Sequence, residues 1–210
     1  EGLAEQLRRY VFRSKVSATA RNDLQVTGSF AAPLHAQLNN IGQLSETANA
    51  TVELDLSAQG GARRLCIHTT AATEDAAARA QWTTFDLQHG LPRLPASQVE
   101  HWTPQQLGLE RLAAFSVKKG CYPGQEIVAR THFLGQTKRT ASLLHTSHPL
   151  TAGDDVCDQQ QHSFGKVVAC CDALAMAVLP AQMQAEGIDN PLFVGDQRVQ
   201  PVAFMGGLQR

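Results

Sequence analysis

Two short runs, Phe164-Gly-Lys-Val-Val-Ala-Cys-Cys171 and Leu174-Ala-Met-Ala-Val-Leu179, decide the fold of the C-terminal third of the chain. Both are β-like, and similar runs flank them: Lys138 to His145 upstream, and Leu192 to Val202 downstream, broken by Gly195-Asp196. Short strands at regular spacing with polar turns between them predict a small all-β barrel. Ala173 to Leu179 is also the longest uninterrupted apolar run, far short of the ~18 residues needed to cross a bilayer. No membrane span is expected.

Upstream the texture is mixed. Leu3, Leu7 and Val11 follow a helical spacing, predicting a helix over Leu3 to Arg13 and then a half-buried strand from Lys15 to Ala20. Asn22-Asp23 signals a turn before a strand at Leu24 to Ser29, and Leu34, Leu38 and Ile41 share a face of a short helix that Gly42 ends. Thr51 to Leu56 and Arg63 to Thr69, around Gly60-Gly61, predict a β-hairpin. Thr73 is placed to cap a helix with Glu74 and Asp75 in its first turn, running through Trp82 and Phe85 to a stop at Gly90. From Leu91 to Ser116 the prolines Pro92, Pro95 and Pro104 predict a long ordered connector with one helical turn after Thr103-Pro104, and connectors of that length tend to be functional. The expected fold class is α+β, with an α+β region over residues 1–135 and a barrel over residues 136–210. Because the first residue is not Met and a helix opens at once, an N-terminal portion is expected to be missing.

Composition excludes several classes. The 210 residues are 43% hydrophobic, which rules out a disordered chain, and 18 Lys plus Arg against 19 Asp plus Glu leave a net charge of −1. Such a balance gives no whole-chain field for nucleic acid, so no direct nucleic-acid binding is expected. The five cysteines are an odd count and form no Cys-x-x-Cys pair; a structural zinc is not expected, and a reducing cytoplasm fits best. The eight histidines make no His-x-x-x-His pair, and His145 and His148 read as solvated. Gly-x-Gly-x-x-Gly, Gly-x-Ser-x-Gly and Walker patterns are absent.

One segment joins reactive chemistry to local structure. Lys118 and Lys119 precede Gly120 and Cys121, and Pro123-Gly124 turns the chain just before a possible helix at Gln125 to Phe133. Cations and a helix N-terminus both place positive potential at a sulfur and stabilise its thiolate. A small apolar residue beside solvated lysines is the plainer reading of the same residues. Cys66, Cys170 and Cys171 lie in apolar runs and are expected to be buried, and Cys157 stands beside the acidic turn Asp154, Asp155 and Asp158, which disfavours its thiolate. Trp82 reads either as a core residue or as a stacking surface for a flat heteroaromatic ligand.

The run Lys119-Gly120-Cys121-Tyr122-Pro123-Gly124-Gln125-Glu126 resembles the Lys-Gly-Cys-[Tyr/Phe]-x-Gly-Gln-Glu signature of the YgfZ family, relatives of the glycine-cleavage T-protein. Trp82, Asp86, Gly90 and Pro92 resemble the family's Trp-x-x-x-Asp-[Ile/Leu]-x-x-Gly-x-Pro segment, and Arg130, Gly135 and Lys138-Arg139 fit downstream. Leu7 to Val16 is similar to the family's helix-to-strand passage. The resemblance implies a T-protein-like folate-binding region followed by a small C-terminal β-barrel, tetrahydrofolate as ligand with Trp82 in contact with it, and no stably bound metal. It implies Cys121 as the functional thiol, with Lys118, Lys119, Gly120, Tyr122, Gly124, Gln125, Glu126 and Arg130 as motif residues. The implied role is maturation or repair of iron-sulfur enzymes in the bacterial cytoplasm, tRNA-thiolating enzymes included, by a monomer that is an accessory factor more than a turnover enzyme. A folate-dependent aminomethyl transferase is the alternative, and a cysteine signature that T-proteins do not need argues against it.

Overall fold

A computed structural model describes residues 2–9, 11, 15–37, 41–43, 52–120, 122, 124–135, 138–185 and 191–208. The chain divides into two compact units, residues 1–57 with 62–74, and residues 58–61 with 75–210.

The first unit holds helix α1 (Gly2–Arg8) and four strands, β1 (Gln25–Ser29), β2 (Ile41–Gln43), β3 (Val52–Asp55) and β4 (Arg64–His68). They form an antiparallel sheet in the order β1-β4-β3-β2. The predicted hairpin is the β3–β4 pair, and the turn at Asn22-Asp23 precedes β1. One buried acid organises this unit. Glu53, 1% exposed, accepts hydrogen bonds from the backbone N–H groups of Leu34 (3.0 Å), His35 (2.6 Å) and Ala36 (2.8 Å) and an ion pair from Arg64 at 3.1 Å. Burial pushes this carboxyl up, but the three amides and Arg64 together outweigh it and hold it at about 2.

That arrangement explains one correction. The helix expected over Pro33 to Ile41 is not formed at residues 33–37, and Ile41 begins a strand; amides that a helix would leave for its first turn are used by Glu53 instead. Residues 15–20 form no strand either: Val16 is 61% exposed and no neighbouring strand pairs with them. Helix α1 stops at Arg8, short of the expected Arg13.

The second unit contains α2 (Ala76–Gln88), a 3-10 turn at Ala96–Gln98, α3 (Gln125–Leu134), a short α4 (Gln182–Ala185) and the barrel strands β5 (Arg139–His145), β6 (Asp155–Cys157), β7 (Ser163–Cys171), β8 (Leu174–Pro180), β9 (Leu192–Val194) and β10 (Gln197–Val202). The barrel closes in the order β10-β5-β8-β7-β6-β9. The apolar run at the C-terminal end of the sequence is continuous because β8 is buried on both faces. Ala175, Ala177 and Leu179 point into the barrel with Leu144, Val156, Val167 and Leu192, whereas Met176 and Val178 point outward to a second core with Leu87, Leu107, Ala141, Leu143 and Val168. A register shift between Val167 and Ala169 puts Val168 and Ala169 in the same outer core. Strand β6 is an addition to the sequence reading, its three residues too few to show a period. The barrel strands begin near the expected boundary at Gly135, and residues 75–134 pack in the same unit as the barrel.

Helix α2 is capped by Asp75, whose carboxylate accepts from the Ala78 N–H at 3.0 Å, and not by Thr73. Its C-terminal end is tightly built. Asp86, fully buried, pairs with Arg93 at 2.8 Å. His89, also fully buried, reaches the carbonyls of Phe85 (2.7 Å) and Gln59 (2.9 Å), and Gly90 leaves the helix at φ +68°. The motif residues Asp86 and Gly90 therefore shape the end of a helix. Among the described residues no helix is long and apolar enough to cross a membrane.

Candidate functional site

The signature segment runs from a turn-rich stretch into α3. Cys121 and Pro123 lie outside the described residues, and their neighbours define the loop. The Tyr122 hydroxyl donates to the Ser116 carbonyl at 3.2 Å and the Gln125 amide donates to the Lys119 carbonyl at 3.2 Å, so two side chains of the motif tie the loop back on itself. The Lys119 ammonium stands over the Tyr122 ring, 4.8 Å from its centroid, a cation–π contact. Lys118, Lys119 and Gly120 are exposed, as are Glu126 and Arg130 on α3. Gly124 caps α3 in the left-handed region at φ +82° with open space around it. Its requirement is conformational, since a side chain there meets no atom but must adopt a backbone that only glycine takes cheaply.

The remaining thiols are less available than exposed loop residues. Cys157 is buried; burial pushes its thiol up, and Asp155 and Asp158 add to the effect, as the acidic turn predicted. Cys66 and Cys170 are half-buried where burial was expected, and burial raises both. The Cys170 thiol donates to the Leu150 carbonyl at 2.8 Å, and the half-buried Cys171 thiol donates to the Ala80 carbonyl at 3.5 Å. Among the described residues no group of three or more His, Cys, Asp or Glu is placed to hold a metal ion.

Trp82 is half-buried on α2, one turn before the buried Phe85. Trp102 is held by its indole N–H, which donates to Gln98 Oε1 at 3.0 Å, and packs against the outer core.

The second unit also contains a cavity of about 370 Å³ whose walls include Gly90, Gln105, Leu107, Arg111, Thr140 and Phe204. Trp82 is not among the residues that line it. Gln105, 5% exposed, donates its amide N–H to the Val128 carbonyl of α3 at 2.8 Å, while its Oε1 is buried with no hydrogen-bond partner among the described residues. Leaving such an acceptor unpaired costs roughly 1–3 kcal/mol. The Arg111 guanidinium donates to the carbonyls of His89 and Met205 and lies over the Phe204 ring at 4.8 Å. Burial lowers its pKa. Gly90 makes room for it: a Cβ there would collide with Arg111 Nη2 and come within 3.1 Å of the Phe204 ring. The sequence reading named the connector as a functional candidate without picking out Gln105 or Arg111, and no spacing marked them.

These features can be set beside known proteins. No protein-family model matches the chain. The tRNA-modifying protein YgfZ of Sodalis glossinidius (strain morsitans) is 30% identical in a 191-residue alignment that takes in 79% of this chain and 57% of that protein. The chain is a homologue of YgfZ. It spans little more than half the length of this relative. Among solved structures, the glycine cleavage system aminomethyltransferase T from Bartonella henselae superposes with a TM-score of 0.50 at 15% identity, over 78% of this chain and 50% of that one. That likeness is one of fold, and it agrees with the mixed α+β architecture and the closed barrel.

Proposed function

We propose that this chain is a tetrahydrofolate-binding accessory protein for the maturation or repair of iron-sulfur enzymes, tRNA-thiolating enzymes among them, acting through the Cys121 thiol. The observation that carries the reading is the run Lys119 to Glu126 in a chain 30% identical to a tRNA-modifying protein. The exposed Lys118 and Lys119 favour a thiolate at the cysteine between Gly120 and Tyr122, and the Tyr122 and Gln125 side chains hydrogen-bond the carbonyls of Ser116 and Lys119 on its N-terminal side. A reduced folate fits the groups present. Trp82 offers an indole face on α2, and the Arg111 guanidinium suits a ligand that carries a carboxylate. Bound tetrahydrofolate supplies a reduced pterin that carries one-carbon units, and the chain's part is to hold it and to present the thiol. The role is that of a cytoplasmic monomer meeting iron-sulfur client enzymes.

Tryptophan fluorescence tests the ligand. Adding tetrahydrofolate should quench emission, and Trp82→Ala should remove most of the change whereas Trp102→Phe should retain it. One aromatic platform contributes roughly 1–3 kcal/mol by analogy with base stacking, so Trp82→Ala should weaken binding by about one to two orders of magnitude. Equal quenching in wild type and Trp82→Ala would contradict the assignment.

A further inference from the structure

His89 is a titratable group that the function proposed above does not use and that the fold buries completely. Its ring meets a backbone carbonyl at each nitrogen: Nδ1 lies 2.7 Å from the Phe85 oxygen and Nε2 lies 2.9 Å from the Gln59 oxygen. A carbonyl oxygen only accepts, so each contact needs an N–H, and a neutral imidazole has one. Turning the ring over would set ring carbons against both oxygens and satisfy neither. The ring is also stacked on Phe85, with centroids 4.2 Å apart and planes inclined by 24°, which holds it in the orientation of these contacts. Only the imidazolium, with a proton on each nitrogen, serves both carbonyls.

The charges around His89 oppose one another and leave the decision to the two carbonyls. On α2, Asp86 stands one turn earlier, fully buried, with its carboxylate paired to Arg93 at 2.8 Å. His89 itself caps the C-terminal end of α2, where the helix dipole favours a cation. From the connector, the Arg111 guanidinium donates to the His89 carbonyl and disfavours a second cation beside it, while the neighbouring Glu110 turns to His132 at 3.3 Å. The hairpin tip, Ala58 to Gly61, and the C-terminal segment, Ala203 to Gly207, carry no charged side chain. Arg63, past the tip, donates to the Leu56 carbonyl at 3.5 Å.

The proton on Nε2 completes a three-way junction within the second unit, to which the tip belongs. The Gln59 N–H donates to the Gly206 carbonyl at 3.1 Å, the Gly206 N–H donates to Gln59 Oε1 at 3.0 Å, and the Met205 N–H donates to the Gln88 carbonyl at 2.8 Å. We propose that His89 is a pH-sensitive latch: as the imidazolium it fastens the Gln59 carbonyl to the end of α2, and on giving its Nε2 proton to solvent it sets a lone pair against that oxygen and releases the tip. Nδ1 keeps its proton, because its contact is the shorter and lies within its own helix. The latch is closed at low pH and opens as pH rises through the range in which imidazoles titrate. Arg111, which donates to the carbonyls of both His89 and Met205, walls the cavity together with Gly90 and Phe204, so opening the junction loosens that wall.

The experiment titrates the whole chain, carrying isotope-labelled histidine, from about pH 5 to about pH 9. Magnetic resonance reads the protonation of each ring nitrogen, and hydrogen exchange reads the Gln59, Met205 and Gly206 amides as protection factors, which remove the intrinsic pH dependence of exchange. Both His89 nitrogens should carry protons at the acid end, and Nε2 should lose its proton as pH rises. Over the same interval protection at the three amides should fall by about tenfold or more, the measure of one lost hydrogen bond to a charged group. Amides of β7 and β8 should keep their protection, which separates the latch from global unfolding. His89→Gln, which has no titrating ring, should show no such step. Because replacing a buried residue can unsettle the fold, the wild-type data decide by themselves. A His89 ring with one bare nitrogen at the acid end, a ring that keeps both protons throughout, or protection at Gln59 and Gly206 that stays constant while the ring titrates overturns the proposal.

Discussion

Replacing Gly165 by alanine should weaken the barrel more than any other single methyl group added to it. Gly165 lies on β7 opposite Val156, and a Cβ there would overlap the Val178 carbonyl oxygen of β8 and approach Leu179 Cδ2 at 3.1 Å. Neither neighbour has room to yield. Val178 is paired with Lys166 and with Ala141, so its carbonyl is fixed by strands on both sides, and Leu179 is fully buried in the barrel interior. Overpacking costs about 1–3 kcal/mol, which lowers the melting temperature of a chain this size by about 2–12 °C. Gly206→Ala is the control: its nearest neighbour is the flexible Gln59 Oε1 at 3.7 Å, and its effect should stay within about 0.5 kcal/mol. Thermal melts followed by far-UV circular dichroism decide it, and a Gly165→Ala protein that melts with the wild type would mean that β7 and β8 are not this close.

The second large effect is a pH dependence centred on the sheet of the first unit. Glu53 titrates near 2 in the fold against 4.5 unperturbed. A depressed carboxyl contributes stability that is complete above the unfolded value and disappears as pH falls through the folded one. Denaturant unfolding should therefore lose up to about 3 kcal/mol between pH 5 and pH 2 from this group alone. Glu53→Gln, which cannot offer a charged pair of oxygens to the Leu34, His35 and Ala36 amides, should lose a comparable amount at pH 7 and should show a shallower acid slope, keeping only the part that other carboxyls held low in the fold, such as Asp23, Asp155 and Asp158, contribute. Wild-type stability at pH 7 in Glu53→Gln, with the acid slope retained, would show that the amide cradle contributes little.

The barrel was legible because its strands are long, apolar and regularly punctuated, and because a continuous run such as Ala173 to Leu179 has few folds that bury both of its faces. The hairpin of β3 and β4 was legible for the same reason, two runs of alternating character around Gly60-Gly61. Where the reading failed, a long-range partner had overridden a local signal. Leu34, Leu38 and Ile41 keep a helical spacing, yet the amides at 34–36 turn to a carboxylate seventeen to nineteen residues away. Lys15 to Ala20 alternates as a strand should, and among the described residues no strand pairs with it. Thr73 and Asp75 are both good cap residues, and only geometry chose between them. Of the site, the Lys119 to Glu126 motif could be read directly, as could the unfavourable setting of Cys157. Gln105 and Arg111 could not, because their meaning lies in what they fail to pair with, which composition and spacing do not encode.

The most direct test of the account is made in cells that lack their own YgfZ, with iron-sulfur-dependent tRNA thiolation as the readout. Variants of this protein are compared at equal abundance. Cys157→Ala should restore thiolation as the unmodified protein does, because that thiol is buried and its environment opposes the thiolate. Cys121→Ala and Cys121→Ser should both fail, serine lacking a nucleophile of comparable strength at neutral pH. Full restoration by Cys121→Ala would contradict the account and leave that cysteine as packing.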